Sequence, residues 1–230
     1  MYCFKNGNDC PYRNICEQKT SDGSCYKGCV KLHEIDLLFS NANIPRKYLQ
    51  PYRLFPAEED KETYESLKEL KNNIKEAVEE GFNLYLSSEV RMNGKTSWAI
   101  KLLQNYLHMV LYDPGSRKRG LYIDTNQYLN ELKASFNDYD LAKDIRDFEK
   151  DIDNADLVIW DHIDETRLTE WERNNIKQHI KKRLADGLSN IYVGINRDYK
   201  LSGIIGEDLK AYVQDNSTNI ILFGKRGGLK

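Results

Sequence analysis

Gly94, Lys95 and Thr96 stand in a row where an apolar segment gives way to a helical pattern. Backbone N–H groups at the start of a helix bind phosphate oxygens, because no carbonyl group of the helix accepts from them. A lysine at this place reaches the β- and γ-phosphates of a nucleotide, and the threonine hydroxyl binds Mg²⁺. The pattern therefore predicts a Walker A loop whose nucleotide-contacting residues are Asn93, Gly94, Lys95, Thr96 and Ser97.

One position of this loop departs from the usual GxxxxGK[ST] pattern, because Glu89 stands where the first glycine is expected. A carboxylate there would lie near the phosphates, and we expect it to weaken nucleotide binding. The alternative is a chance Gly-Lys-Thr sequence at a helix start. The apolar segment before it and the helical pattern after it disfavour that alternative.

An apolar segment at residues 155–161 ends in an acid, Asp161. At the carboxyl end of a strand next to the loop, this carboxylate would bind Mg²⁺ together with Thr96, as a Walker B acid does. ATPases of this type usually place a second acid next, and His162 stands there instead. We therefore expect slow or no hydrolysis, unless the following loop turns Asp164 or Glu165 inward.

A further apolar segment, residues 191–196, ends in Asn196. Its amide could bind the γ-phosphate or the attacking water, and it equally fits an asparagine that only shapes the next turn. The predicted catalytic group is thus Asp161, His162 and Asn196.

The elements that must position these residues are visible in the alternation of short apolar segments with longer amphipathic ones. The predicted strands are 82–86, 121–123, 157–160, 191–195 and 219–223. Helical stretches between most of them imply a parallel sheet covered on both faces. Upstream, residues 58–80 predict one charged helix that ends at Gly81.

In this order the segments resemble the DnaC and DnaI type of bacterial helicase loader and the related IstB transposition ATPases, over about residues 37–223. Residues 128–138, ending in Ser-Phe-Asn-Asp, look like a strand-following helix of that family. Residues 168–171, Leu-Thr-Glu-Trp, look like its helix start after the Walker B strand. The resemblance implies an α/β fold: an AAA+ P-loop domain with a five-stranded parallel sheet at 58–230, behind a linker at 36–57.

The resemblance also implies a function in DNA replication. A loader of phage, plasmid or mobile-element type would bind ATP or ADP with Mg²⁺, bind a hexameric DnaB-type replicative helicase, and help place it on single-stranded DNA. The two nucleotide-sensing arginines of the family correspond to Asp208 and Tyr212 here. Together with Glu89 and His162, these departures predict weak or no hydrolysis and no ATP-driven self-assembly, while self-assembly on the helicase stays open.

Two other functions remain open at this point. One is a transposition ATPase regulator related to IstB, which would bind double-stranded DNA and a transposase. The other is a helicase adaptor that needs no nucleotide and keeps the P-loop only as a part of the fold.

All five cysteines lie within the first 29 residues. Four thiolates form a closed zinc site, and zinc stabilises a segment too short to bury a core. The predicted zinc ligands are Cys10, Cys16, Cys25 and Cys29, with Cys3 and His33 as alternatives. An iron–sulfur cluster or free thiols are the other interpretations. By position, this module at 1–35 is the expected helicase-binding part.

The composition excludes some classes of protein and leaves others open. With 40% hydrophobic and 30% charged residues and no apolar run near the length of a membrane span, we expect a soluble, cytoplasmic protein. A net charge of -2 neither favours nor excludes DNA. Basic residues at 117–119 and 177–183 would contact DNA phosphates or simply face solvent, and the lack of aromatic neighbours favours solvent.

Overall fold

The computed structural model describes residues 37–49, 52–110, 119–195 and 198–224. Several predicted functional residues lie outside these ranges: Cys3, Cys10, Cys16, Cys25, Cys29, His33, Arg117, Lys118 and Asn196. Among the described helices, none has the length and apolar composition that crossing a bilayer requires.

A single five-stranded sheet organises the described part of the chain. Its strands are β1 (Asn83–Ser87), β2 (Gly120–Asp124), β3 (Leu157–Asp161), β4 (Ser189–Gly194) and β5 (Thr218–Ile221). They lie in the order β2-β3-β4-β1-β5, and every neighbouring pair is parallel. This confirms the predicted α/β fold with a five-stranded parallel sheet. The ends of the strands differ from the predicted ones by at most two residues.

Helices connect and cover the strands. They are α1 (Lys61–Asn72), α2 (Ile74–Glu79), α3 (Lys95–Met109), α4 (Thr125–Ala134), α5 (Tyr139–Asn154), α6 (Glu170–Ala185), α7 (Asp198–Ile205) and α8 (Glu207–Lys210). A π-helix at Ala211–Asp215 follows α8, and 3-10 helices lie at Arg46–Tyr48, Glu58–Asp60 and Ser135–Asn137.

The prediction of one uninterrupted helix at 58–80 was wrong. A 3-10 turn precedes α1, and Asn73 then separates α1 from α2 because its backbone (φ -108°, ψ 19°) leaves the helical region. The predicted end is confirmed. Gly81 has φ 74°, and Phe82 N donates to Ala77 O while Gly81 N donates to Val78 O. These two bonds satisfy the last carbonyls of the helix, as in a Schellman motif.

Two hydrophobic clusters cover the two faces of the sheet. Leu84 and Leu86 of β1 belong to the first cluster with α1 to α3, whereas Tyr85 between them belongs to the second with α4 to α8. The same alternation occurs in β3 and β4, because successive side chains of a strand point to opposite faces. Burial on both faces explains why these segments read as continuous apolar runs.

The predicted linker at 36–57 packs against the sheet in its described part. Residues 37–41 are helical, and Phe39, Ala42 and Ile44 are buried in the first cluster. Next to β2, Tyr122 N donates to Ala42 O over 2.8 Å, and Asn43 Nδ2 donates to Tyr122 O over 3.2 Å. These residues are therefore part of the core, and the domain boundaries at 35 and 57 stay predictions.

Candidate nucleotide-binding site

The loop between β1 and α3 presents free backbone donors at the start of a helix. Gly94 has φ 99°, a left-handed conformation that favours glycine, and α3 begins directly after it. The first backbone bond of the helix joins Trp98 N to Gly94 O over 2.8 Å. The N–H groups of residues 95–97 precede that bond, so α3 supplies no acceptor for them. This arrangement fits a phosphate group.

Short hydrogen bonds hold the loop in shape. Ser88 Oγ accepts from Val90 N (3.0 Å) and from Asn93 Nδ2 (2.5 Å), and Asn93 Nδ2 also lies 3.4 Å from Leu222 O. Asn93 is buried, so its side chain fixes the loop to the segment after β5. A contact of Asn93 with a nucleotide stays a prediction.

The ammonium group of Lys95 lies over the same loop. Its Nζ donates to Val90 O (3.1 Å), Asn93 Oδ1 (3.3 Å) and Ser88 O (3.4 Å). Burial lowers the pKa of Lys95, and nearby carboxylates, Asp164 first, act in the opposite direction. The loop therefore holds a cation beside the free N–H groups, where the resemblance requires it.

Thr96 and Asp161 meet across the boundary between the loop and β3. Thr96 Oγ1 donates to Asp161 Oδ1 over 3.1 Å, and Tyr122 Oη donates to Asp161 Oδ2 over 2.7 Å. Burial raises the pKa of Asp161, while the charge of His162 and the bonds from Tyr122 and Thr96 oppose that rise. A hydroxyl and a carboxylate oxygen fit Mg²⁺, which takes few protein ligands and keeps several waters.

Nowhere in the described ranges are three histidine, cysteine, aspartate or glutamate side chains grouped so as to hold a metal ion. Sequence reasoning also missed Tyr122 as a partner of Asp161. A buried tyrosine hydroxyl needs a hydrogen-bond partner, and that requirement is the signal that could have indicated it.

His162 is surrounded by acids. Its Nδ1 lies 2.9 Å from Glu165 Oε1, and its Nε2 lies 3.4 Å from Asp161 Oδ2 and 3.9 Å from Asp124 Oδ2. Burial alone would lower the pKa of His162, but the three carboxylates raise it above its usual value. Its backbone is also left-handed, with φ 60°. The carboxylates therefore favour the charged form of the ring, and that form cannot take a proton from water.

The loop after β3 turns Asp164 inward, one of the two acids considered from the sequence. The carboxylate is fully buried, and it accepts from Ile195 N over 2.8 Å and from Tyr85 Oη over 3.2 Å. Asp164 thus fixes the end of β4 beside the P-loop. The other acid, Glu165, lies against His162.

Glu89 lies on the outer side of the loop. Its side chain is exposed, and Oε1 lies 3.8 Å from Nζ of Lys200 in α7. The carboxylate is not among the groups that line the neighbouring cavity. A weakening of nucleotide binding by Glu89 stays a prediction.

An open cavity of about 650 Å³ lies between the P-loop, the ends of β3 and β4, and the segment 45–55. This volume is typical of small-molecule sites. Besides residues 91–97, its lining comprises Pro45, Lys47, Tyr48, Tyr52, Arg53, Leu54, Phe55, Tyr64, Tyr122, Asp124, Gln127, Asp161, His162, Glu165, Val193, Gly194 and Ile195. Tyr52 is fixed in this wall, since its Oη donates to Ser97 O over 2.8 Å.

The two positions matched to sensing arginines lie apart from the cavity. Asp208 pairs with Lys177 over 3.0 Å with 79% of its side chain exposed, and Tyr212 packs against the second cluster. Neither lines the cavity.

The basic cluster on α6 is smaller than the sequence indicates. Arg183 is fully buried, where it donates to the carbonyl oxygens of Ile152, Ala155 and Ser189. It joins α5, α6 and β4 and is not available to DNA.

No family model matches the chain, and no curated protein matches it either. Solved structures do. The DnaC helicase loader has 20% identity and a TM-score of 0.59, over 77% of this chain and 99% of that chain. DnaI has 14% identity and a TM-score of 0.59, over 78% and 95%. The replication initiator DnaA bound to AMPPCP and single-stranded DNA has 15% identity and a TM-score of 0.54, over 73% and 48%.

At such identities the similarity establishes the fold. The chain shares its α/β fold with these DnaC, DnaI and DnaA structures, and it spans nearly the whole of the DnaC and DnaI structures but about half of the DnaA chain.

Proposed function

We propose that this chain, which shares its fold with the DnaC and DnaI proteins, is a DNA replication helicase loader that binds nucleotide. It binds ATP or ADP with Mg²⁺, binds a hexameric DnaB-type replicative helicase, and helps place that helicase on single-stranded DNA. The observation that carries the nucleotide part is the Thr96–Asp161 hydrogen bond beside the free N–H groups of α3.

Each part of the proposed site has a separate task. The N–H groups of residues 95–97 and the Lys95 ammonium bind phosphate oxygens. Thr96 and Asp161 would hold Mg²⁺, which neutralises phosphate charge when bound. Tyr122 orients the Asp161 carboxylate, and Asp164 keeps the end of β4 in place.

The nucleotide acts through binding more than through turnover in this proposal. His162 stands among carboxylates at the position of the usual second acid, and neither Asp208 nor Tyr212 lines the cavity. His162 and Glu165 engage each other, and the inward-turned Asp164 accepts from Ile195 N and Tyr85 Oη, so none of these groups is a free base for water. The two positions matched to sensing arginines supply no cation for the transferred charge. We therefore propose a switch that depends on which nucleotide is bound.

The fold supports the replication assignment, because it is shared with proteins named as a helicase loader and as a replication initiator bound to single-stranded DNA. The cysteine module at 1–35 is proposed as the zinc-binding, helicase-binding part on its sequence alone.

Calorimetry of the full chain with ATP and ADP tests the nucleotide part. We expect Mg²⁺-dependent binding that Lys95→Ala greatly weakens. Binding of neither nucleotide even at high concentration would favour the adaptor that needs no nucleotide.

A pull-down from host extract tests the partner. We expect a DnaB-type helicase with the full chain and not with a chain lacking 1–35, whose retained nucleotide binding would show that it folds. Recovery of a transposase instead would end the loader hypothesis.

A further inference from the structure

We propose that Arg91 is the cation that recognises the terminal phosphate of a nucleoside triphosphate, an inference that rests on the nucleotide site of the proposed function. It goes beyond that function by naming how the site distinguishes ATP from ADP. The observations concern the position of Arg91, its lack of partners, and the charges around it.

Arg91 lies in the P-loop next to the lysine head group. Its neighbour Val90 offers the backbone carbonyl that accepts from Lys95 Nζ over 3.1 Å, so residue 91 follows directly on that contact. Met92, with φ 59°, then turns the chain before the buried Asn93. Arg91 lines the cavity, beside the lysine expected to reach the outer phosphates.

The guanidinium group has no partner of its own within the described part of the chain. Arg91 is exposed, and it makes no hydrogen bond, ion pair or ring contact there. An arginine keeps its charge at any physiological pH, and its planar donors match two phosphate oxygens at once. It is therefore available for a ligand at no loss of a protein contact.

The P-loop places Glu89 and Arg91 in different surroundings. Glu89, two positions earlier, lies outside the cavity lining and close to Lys200. Arg91 lines the cavity, so the loop presents the Arg91 guanidinium group to a ligand and keeps the Glu89 carboxylate outside the cavity lining. An acid on the cavity side of this loop would weaken its attraction for phosphate. Residues 88–97 contain no acid besides Glu89.

Apart from Arg91 and Lys95, the lysine and arginine side chains that line the cavity lie outside the P-loop. Lys47 and Arg53 come from the separate segment 45–55, and Lys47 lies over the Tyr48 ring at 4.8 Å. Within 198–224, no residue lines the cavity. A γ-phosphate adds negative charge that ADP lacks, and Arg91 is the loop's second cation to meet it.

Calorimetry with MgADP and with Mg²⁺ and a non-hydrolysable ATP analogue tests this assignment on the full chain. We expect Arg91→Gln to weaken analogue binding about tenfold and ADP binding less than about twofold. Arg91→Lys should keep part of the preference for the ATP analogue over ADP, since lysine retains the charge but loses the two-point contact with phosphate. Arg146→Gln is the matched control, because it removes an exposed arginine of α5 that does not line the cavity, and it should leave the ratio unchanged.

The outcomes separate this inference from the proposed function. Binding of nucleotide by the unaltered chain, with the same ATP-to-ADP ratio in Arg91→Gln, overturns the role of Arg91 alone. An equal loss for both nucleotides also overturns it. No binding by the unaltered chain overturns the nucleotide site and this inference together. Because Arg91 is exposed and without a partner, its variants should melt at the temperature of the unaltered chain.

Discussion

Nδ1 of His162 lies 2.9 Å from Oε1 of Glu165, so the residue after Asp161 is engaged by an acid of its own loop. A general base needs a free basic atom near the attacking water, and the carboxylates raise the pKa of this ring. We predict that Mg²⁺-dependent phosphate release from ATP by the full chain does not exceed that of Lys95→Ala. Robust turnover that Lys95→Ala abolishes would show that another group activates water.

Removal of the Tyr122 hydroxyl tests how Asp161 is tuned for Mg²⁺. In Tyr122→Phe the carboxylate loses a donor, which raises its pKa further, so protons compete better with the metal. Calorimetry with ADP, with and without Mg²⁺, should show the gain from Mg²⁺ reduced about threefold to tenfold at pH 6.5 and less at pH 8.

Thr96→Val is the companion variant, because it removes the expected ligand itself. The gain from Mg²⁺ should then disappear at both pH values. If Tyr122→Phe keeps the full gain at both pH values, the hydroxyl has no part in metal binding.

Because the backbone of Met92 is left-handed, we expect glycine to be tolerated better than alanine at this position. Met92 has φ 59° and is 71% exposed, so its side chain contributes little packing. Glycine adopts this conformation without the steric cost that alanine meets. In denaturant unfolding, Met92→Gly should be more stable than Met92→Ala by about 1 kcal/mol, the reverse of their order inside a helix. An alanine variant of equal or greater stability would argue against backbone strain in the loop.

The surroundings of Glu172, away from the nucleotide site, predict that the free energy of unfolding depends on pH. Burial alone would raise the pKa of Glu172, but hydrogen bonds from Lys133 (2.6 Å) and Thr169 (2.7 Å) lower it overall. Because the pKa is lower in the folded state, the ionised carboxylate stabilises the fold at pH values above the pKa of the unfolded state, about 4.3. This stabilisation is lost as the pH falls through the pKa of the folded state.

Glu172→Gln keeps an oxygen for the cap at Thr169 but loses the charge. We expect it to lower the free energy of unfolding by about 0.5 to 1 kcal/mol at pH 7, a value reduced by the exposure of Lys133. The difference should shrink as the pH falls below about 4.3 and through the lower pKa of the folded state. In a Lys133→Met background the substitution should cost less at pH 7, and an unchanged cost would exclude this ion pair as the cause.

The cysteines of residues 1–35 predict a bound metal ion. We expect about one zinc ion per chain, by elemental analysis, in protein purified without oxygen. Replacing Cys16 and Cys25 by serine should release it, while nucleotide binding by the P-loop domain persists. Iron with labile sulfide would indicate a cluster instead, and absence of metal would exclude the site.

The sheet was predictable because strands buried on both faces are apolar throughout, as at residues 157–160. The role of Tyr122 was not, since it depends on the register that pairs Ile123 with Trp160 and so brings β2 beside Asp161. Sequence spacing gives no such register. The approach of Glu89 to Lys200, a residue far along the chain, was likewise not predictable.

The break at Asn73 shows a different limit. Residues 58–80 keep helical periodicity across it, so periodicity alone predicts one helix. Tertiary packing decides where such a pattern bends, because Leu67 and Ile74 are both buried in the first cluster although they belong to α1 and α2.

Tyr122 has bonds at both its backbone and its side chain. Ala42 and Asn43 occupy its outward N–H and C=O groups, while its hydroxyl donates to Asp161. The outer edge of β2 is thus closed at this residue to pairing with a foreign strand. Residues 42 and 43 are therefore also linked to a carboxylate of the cavity: a displacement of their backbone reaches Asp161 through the single side chain of Tyr122.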